Sequence, residues 1–156
     1  LPILKRLTSL AVPVVVLGVL VNEIVTTPIY TDREIAAFRE RDLAQARAGN
    51  FTEALRSLEA LTEIVPGDPL VWGDYLTALI WAKREPDALR LAQDPVVPPL
   101  PAYALAELFE AALRNGDFAA AQRFAIAEIE RSDQPEKVAV TRVDRLREVG
   151  HEESVG

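Results

Sequence analysis

Parts of the segment Gly49–Asp68, GNFTEALRSLEALTEIVPGD, come back at a fixed interval, and that interval constrains the fold more than any other feature of the chain. The Ala-Leu pair beginning at Ala54 is followed by Ala88-Leu89 34 residues later and by Ala121-Gln122 a further 33 residues on. Periods of this size signal stacked repeats. A unit of about 34 residues holds two helices of about four turns and two short turns at ~1.5 Å per residue, and neither helix buries its apolar face alone. Neighbouring units must therefore stack.

In the first unit Gly49 supplies the left-handed residue that ends one helix, with Asn50 in the turn. Thr52 is the expected cap of the next helix, and Glu53 lies in its electropositive first turn. Leu55, Leu58, Leu61 and Ile64 then recur at helical spacing until Pro66-Gly67 stops the run. The second unit opens at Pro69, and Trp72, Tyr75, Leu76, Leu79 and Ile80 form one apolar stripe. Pro86 suits the first turn of a helix carrying Ala88, Leu89 and Leu91. Lys83 stands where the other units have Gly49 and Gly116, so a left-handed backbone there costs about 1 kcal/mol, or else the turn differs. The third unit carries Leu105, Leu108, Phe109, Ala112 and Leu113 on its first helix. After Asn115-Gly116-Asp117 repeats the turn, Phe118, Ala121, Phe124, Ala125 and Ile129 line the second. A last helix with Val138, Val140, Val143 and Leu146 follows Pro135 and is expected to end at Gly150.

These residues resemble the tetratricopeptide repeat. Trp72 matches its early aromatic, Gly49 and Gly116 its turn, Ala54, Ala88 and Ala121 its small residue, and Pro66 its exit proline. Lys83 at a turn, polar Arg41 and Asp42 on a first helix, and a Pro-rich spacer after the second unit depart from the pattern. The resemblance covers roughly Asp32 to Gly150. It implies an all-α stack of antiparallel helix pairs, about three units and a partial fourth, preceded by an apolar helix; an irregular helical bundle is the competing fold. The organisation expected is an apolar head at 1–30, a repeat domain at 31–150 and a short tail at 151–156.

A chain of 156 residues, 49% hydrophobic, suffices for one domain with a core. It has no cysteine, which removes disulfides and thiolate metal sites. Net charge is −7; without Lys5, Arg6 and Glu23 of the first thirty residues, 15 basic and 23 acidic side chains leave −8. Phosphate binding wants a basic face, so nucleic acid is not an expected partner. An acidic surface steers cationic partners, although it also serves solubility alone.

Lys5-Arg6 precedes the apolar run LTSLAVPVVVLGVLV, the arrangement of a signal-peptide core. No small-residue cleavage site follows Val21, so the expectation is a signal peptide or a retained membrane anchor with its basic end cytoplasmic. A buried helix or strand of the domain is the alternative. The anchor reading makes the membrane a partner through residues 1–30. It places the repeats in the bacterial cell envelope, on the periplasmic side of the inner membrane.

No constellation for catalysis emerges. His151 is the only histidine and has no nucleophile partner by spacing, and there is no Gly-rich phosphate loop or H-E-x-x-H. The reading is a binding protein that is not an enzyme and takes no cofactor or metal. Stacked repeats bind on the surface formed by the first helix of each unit. On the second unit Asp74, Thr77 and Trp81 lie off the main stripe, and the third offers Tyr103, Glu107 and Glu110. Aromatic rings beside carboxylates stack on sugars and attract amines, so these six residues are the candidate groove. Packing of Trp81 against Pro95–Pro101 or the next repeat is the plainer alternative.

A narrower resemblance rests on Trp81-Ala82, Ala88-Leu89, a Leu/Pro-rich spacer and Pro101-Ala102-Tyr103-Ala104. The stretch Ala44–Gln122 looks like the periplasmic repeat region of poly-β-1,6-N-acetylglucosamine export porins. That resemblance implies a scaffold for a partly deacetylated, hence cationic, biofilm polysaccharide that docks the polysaccharide deacetylase. Nothing in the chain alternates in ten-residue strands, so the family's outer-membrane barrel has no counterpart here. The alternative is a general adaptor, membrane-anchored and periplasmic, for protein–protein interaction.

Overall fold

Three chain reversals set the architecture. At Gly49, Lys83 and Gly116 the backbone turns left-handed, with φ of +86°, +62° and +69°. Around each, the same two hydrogen bonds close the preceding helix. Gly49 donates to the Ala46 carbonyl and Asn50 to Gln45; Lys83 donates to Ile80 and Arg84 to Leu79; Gly116 donates to Leu113 and Asp117 to Ala112. This is the Schellman closure, which satisfies carbonyls that a helix end leaves open. Lys83 adopts it although a side chain there costs about 1 kcal/mol. The second unit therefore keeps the turn of its neighbours and tolerates the strain.

Five residues past each reversal stand Ala54, Ala88 and Ala121, all fully buried. A methyl side chain at these points lets two helices approach closely.

The computed structural model describes residues 30–155. Among them are seven α-helices: α1 Asp32–Arg47, α2 Phe51–Ile64, α3 Pro69–Trp81, α4 Glu85–Leu91, α5 Ala102–Arg114, α6 Phe118–Arg131 and α7 Pro135–Val155. The chain divides into two compact units, 1–34 and 35–156, and the packing described below lies within the second. From α2 onward each helix packs on the next, and α3 also packs on α5, one repeat along. The fold is thus an all-α bundle of the helical-repeat kind, built from consecutive helix pairs.

Local chemistry explains where the helices begin. Thr31 and Glu34 form a capping box at the start of α1: Glu34 N–H donates to Thr31 Oγ1 at 3.3 Å, and Thr31 N–H donates to Glu34 Oε2 at 2.8 Å. The backbone and side-chain hydrogen bonds from Thr31 hold the Glu34 carboxyl below its ordinary range. Asp68 caps α3, accepting from Leu70 and Val71, with Pro69 in the first turn. Asp117 caps α6 through the Ala120 amide. The cap of α2 is at Asn50 rather than Thr52, because the residue that closes the Schellman turn is also the one that opens the next helix.

All ten residues from Val71 to Ile80 are buried, so α3 is the central helix, covered on every side. Its Trp72 Nε1–H donates to the Pro66 carbonyl at 2.9 Å and pins the turn that delivers it. The apolar stripes of α3 and α5 are buried in full, whereas Ile64 at the end of α2 is exposed. On α7, Val140 and Val143 face outward. That helix continues through Gly150 to Val155: a helical glycine costs about 1 kcal/mol without ending a helix.

The membrane expectation is corrected. A span needs about 20 consecutive apolar residues, and no helix among the described residues is long and apolar enough to cross a membrane. Even α7, with 21 residues, is studded with charge. The membrane anchor, the membrane as a partner and the inner-membrane location are therefore set aside. The run at 1–29 that prompted them lies outside the described residues.

Candidate functional site

The first helices of successive units, α1, α3, α5 and α7, are tied together by polar struts. The central one is built on Asp74 of α3. Arg39 of α1 donates from Nε to Asp74 Oδ2 at 2.7 Å, and Tyr103 of α5 donates its hydroxyl to Asp74 Oδ1 at 2.5 Å. One carboxylate thereby joins three units. Tyr103 reaches it because Gly73 leaves room: a Cβ there would lie 2.8 Å from both Pro101 Cγ and the Tyr103 hydroxyl. Burial first, and the Asp74 carboxylate second, push the Tyr103 phenol well above its ordinary pKa. The hydroxyl is consequently a proton donor here and not a base.

A second strut joins α5, α6 and α7. Arg142 binds Glu128 of α6 with two bonds, at 2.7 and 2.9 Å. The same guanidinium lies 4.5 Å from the Phe109 ring centroid and 3.3 Å from Glu110 Oε1. Arg145 also meets Glu110, at 3.3 Å. Near the other end, the Arg47 guanidinium covers the Trp81 ring at 5.4 Å, so the indole meets a first helix and a cation.

Of the six residues singled out from the sequence, the structure brings Asp74 and Tyr103 into contact. Thr77 is buried on the same helix as Asp74, and its Oγ1 has no hydrogen-bond partner among the described residues. Trp81 is half-buried under Arg47, Glu110 is engaged by α7, and Glu107 is half-buried with no ion pair among the described residues. The ring of Tyr103 remains exposed although its hydroxyl is engaged. Arg39, Arg47 and Arg142, the cations that hold this face together, escaped sequence reasoning. The spacing did carry a signal: Arg39–Asp74 and Glu110–Arg145 are each separated by 35 residues, close to one repeat.

Two cavities open elsewhere. One, of about 520 Å³, lies between the Val97–Leu100 spacer and α6; the other, of about 400 Å³, lies where α6 passes into α7. Arg131 borders both, and none of the six sequence-derived residues lines either. Among the described residues no group of three or more His, Asp or Glu side chains is placed to hold a metal. No protein-family model, no curated protein and no solved structure matches the chain.

Proposed function

We propose that the chain is a tetratricopeptide-type repeat scaffold, non-catalytic, whose task is to bind a partner protein. The observation that carries this reading is the identical Schellman reversal at Gly49, Lys83 and Gly116, each followed five residues later by a buried alanine. Units built alike and stacked alike present repeated surfaces, which is how solenoids bind. The charge state of the first helices favours a protein over a cationic polysaccharide. Asp74 and Glu110, the carboxylates best placed to attract amines, are already neutralised by Arg39, Arg142 and Arg145.

The test is site-specific photo-crosslinking in cells from positions 103 and 107 on α5, using a benzophenone amino acid. A discrete protein adduct, lost when the same label is moved into the buried core at Leu108, is the expected result. If no protein adduct forms while partly deacetylated glucosamine oligomers bind the purified chain in a salt-sensitive manner, the polysaccharide reading replaces this one.

A further inference from the structure

In a chain of net charge −7, most arginines have found a carboxylate: Arg39, Arg41, Arg84, Arg90, Arg114, Arg142, Arg145 and Arg147 all sit in ion pairs. Arg123 and Arg131 of α6, like Arg33, Arg47 and Arg56, join none among the described residues. Arg123 donates to the Gln93 side-chain oxygen at 3.2 Å and Arg131 to the Ala127 carbonyl at 2.9 Å, both neutral acceptors. Both arginines are exposed, and both stand on the rim of the 520 Å³ cavity.

The interior of that cavity is apolar. Leu100, Leu105 and Phe124 are buried beneath it, while Val97, Pro98 and Pro99 form the wall facing α6. Proline fixes φ, so Pro98-Pro99 holds the wall open in a set conformation. Beyond Arg131 the second cavity follows, with Lys137 as a further cation outside any ion pair among the described residues. Of the two carboxylates lining it, Glu128 is held by Arg142, and Asp133 has no guanidinium partner among the described residues.

We infer that this cleft docks an extended acidic peptide segment whose carboxylates meet Arg123 and Arg131 and whose apolar side chain enters between them. Spacing specifies the segment. Eight residues along α6 place the two arginine stems roughly 12 Å apart at ~1.5 Å per residue. An extended chain covers about that distance in four residues. In such a chain side chains two and four positions apart share a face. The fitting pattern is therefore acid-x-apolar-x-acid, with both acids on the rim and the apolar residue between them at the level of Ala127.

The cleft is separate from the first-helix face, so the two sites are tested apart. The probe is a fluorescein-labelled peptide with the core Glu-Ser-Leu-Ser-Glu, titrated into the whole chain and read by anisotropy beside its Gln-Ser-Leu-Ser-Gln counterpart. The acidic peptide should bind about tenfold tighter, the effect of one charged hydrogen bond or more, and weaken as salt is raised. Arg123→Gln and Arg131→Gln should each cost about tenfold in affinity. Because both side chains are exposed, circular dichroism and the thermal midpoint should not change. Equal binding of the two peptides, no saturable binding of the acidic one, or undiminished binding by the double variant would overturn the inference. Photo-adducts at position 107 that persist in the double variant would preserve the scaffold reading whatever the peptide does.

Discussion

Seven residues before its left-handed turn the second unit buries Leu76 and the third buries Phe109, whereas the first buries Asp42 at the same place. All three side chains are fully enclosed. Asp42 Oδ1 is held by the neighbouring Arg41 at 2.7 Å, which also reaches Ser57 of α2, but Asp42 Oδ2 has no partner among the described residues. The two ends of the stack thus share a backbone plan and differ in what holds it. Around α5 and α6, the most extensively packed pair, buried Leu105, Leu108, Phe109, Ala121 and Phe124 supply an apolar interior, with the Arg142 strut added at its edge. Around α1, directional contacts take over: Arg39 to Asp74, Arg41 to Ser57 and Arg47 over Trp81. The difference teaches that turn chemistry preserves the register even where a core position is polar.

The largest test of that contrast is Phe109→Ala, which removes a buried ring and the surface under Arg142. It should destabilise the chain by about 3–5 kcal/mol in urea unfolding. A cost below about 1 kcal/mol would mean that α5 is not the packed end of the stack. Asp42→Leu, which gives the first unit the residue of the second, should do the reverse. Removing a buried carboxylate with an unsatisfied oxygen should stabilise by about 1–3 kcal/mol. Loss of stability there would show a site shaped for the carboxylate and would break the equivalence of the three positions.

Lys83→Gly sharpens the comparison of turns. Relief of the left-handed strain should raise stability by about 1 kcal/mol, seen as a higher urea midpoint with an unchanged slope. A drop would indicate that the lysine stem contributes more than its backbone strain costs.

The smallest effect concerns the strut between the two ends. The folded state keeps the Tyr103 proton to higher pH than the unfolded state, which releases it near pH 10. Stability from this group is complete below about pH 10 and falls as pH rises beyond it, because the native state then binds more protons than the unfolded one. Tyr103→Phe should shallow the alkaline loss of stability, measured by urea unfolding between about pH 8 and pH 11. An unaltered alkaline slope would mean that this phenol titrates alike in both states.

Much of the fold was legible because its signals are local. Glycine at 49 and 116 announces a left-handed turn, and the apolar stripe from Trp72 to Ile80 announces a buried helix. Lys83 could be placed in the same turn only by register, since its side chain argues against it. The candidate site was less legible. Asp74 and Thr77 looked like groove residues because they lie off the main stripe, yet α3 is covered on all sides and both are buried. The partners that engage Asp74, Arg39 and Tyr103, sit 35 and 29 residues away on two other helices. The two cavities left no trace in the residue pattern, because the Pro-rich spacer reads as a mere connection until α6 is laid beside it.

Periodicity alone pointed to an all-α chain of consecutively packed helix pairs and to where the chain turns, because turn geometry and helical spacing depend on residues a few positions apart. Which charges are spent and which remain free was decided only in three dimensions. Arg39 and Arg142 are consumed by carboxylates from other repeats, while Arg123 and Arg131 are left without one. Ion pairing is set by proximity across helices, and a linear sequence does not record it.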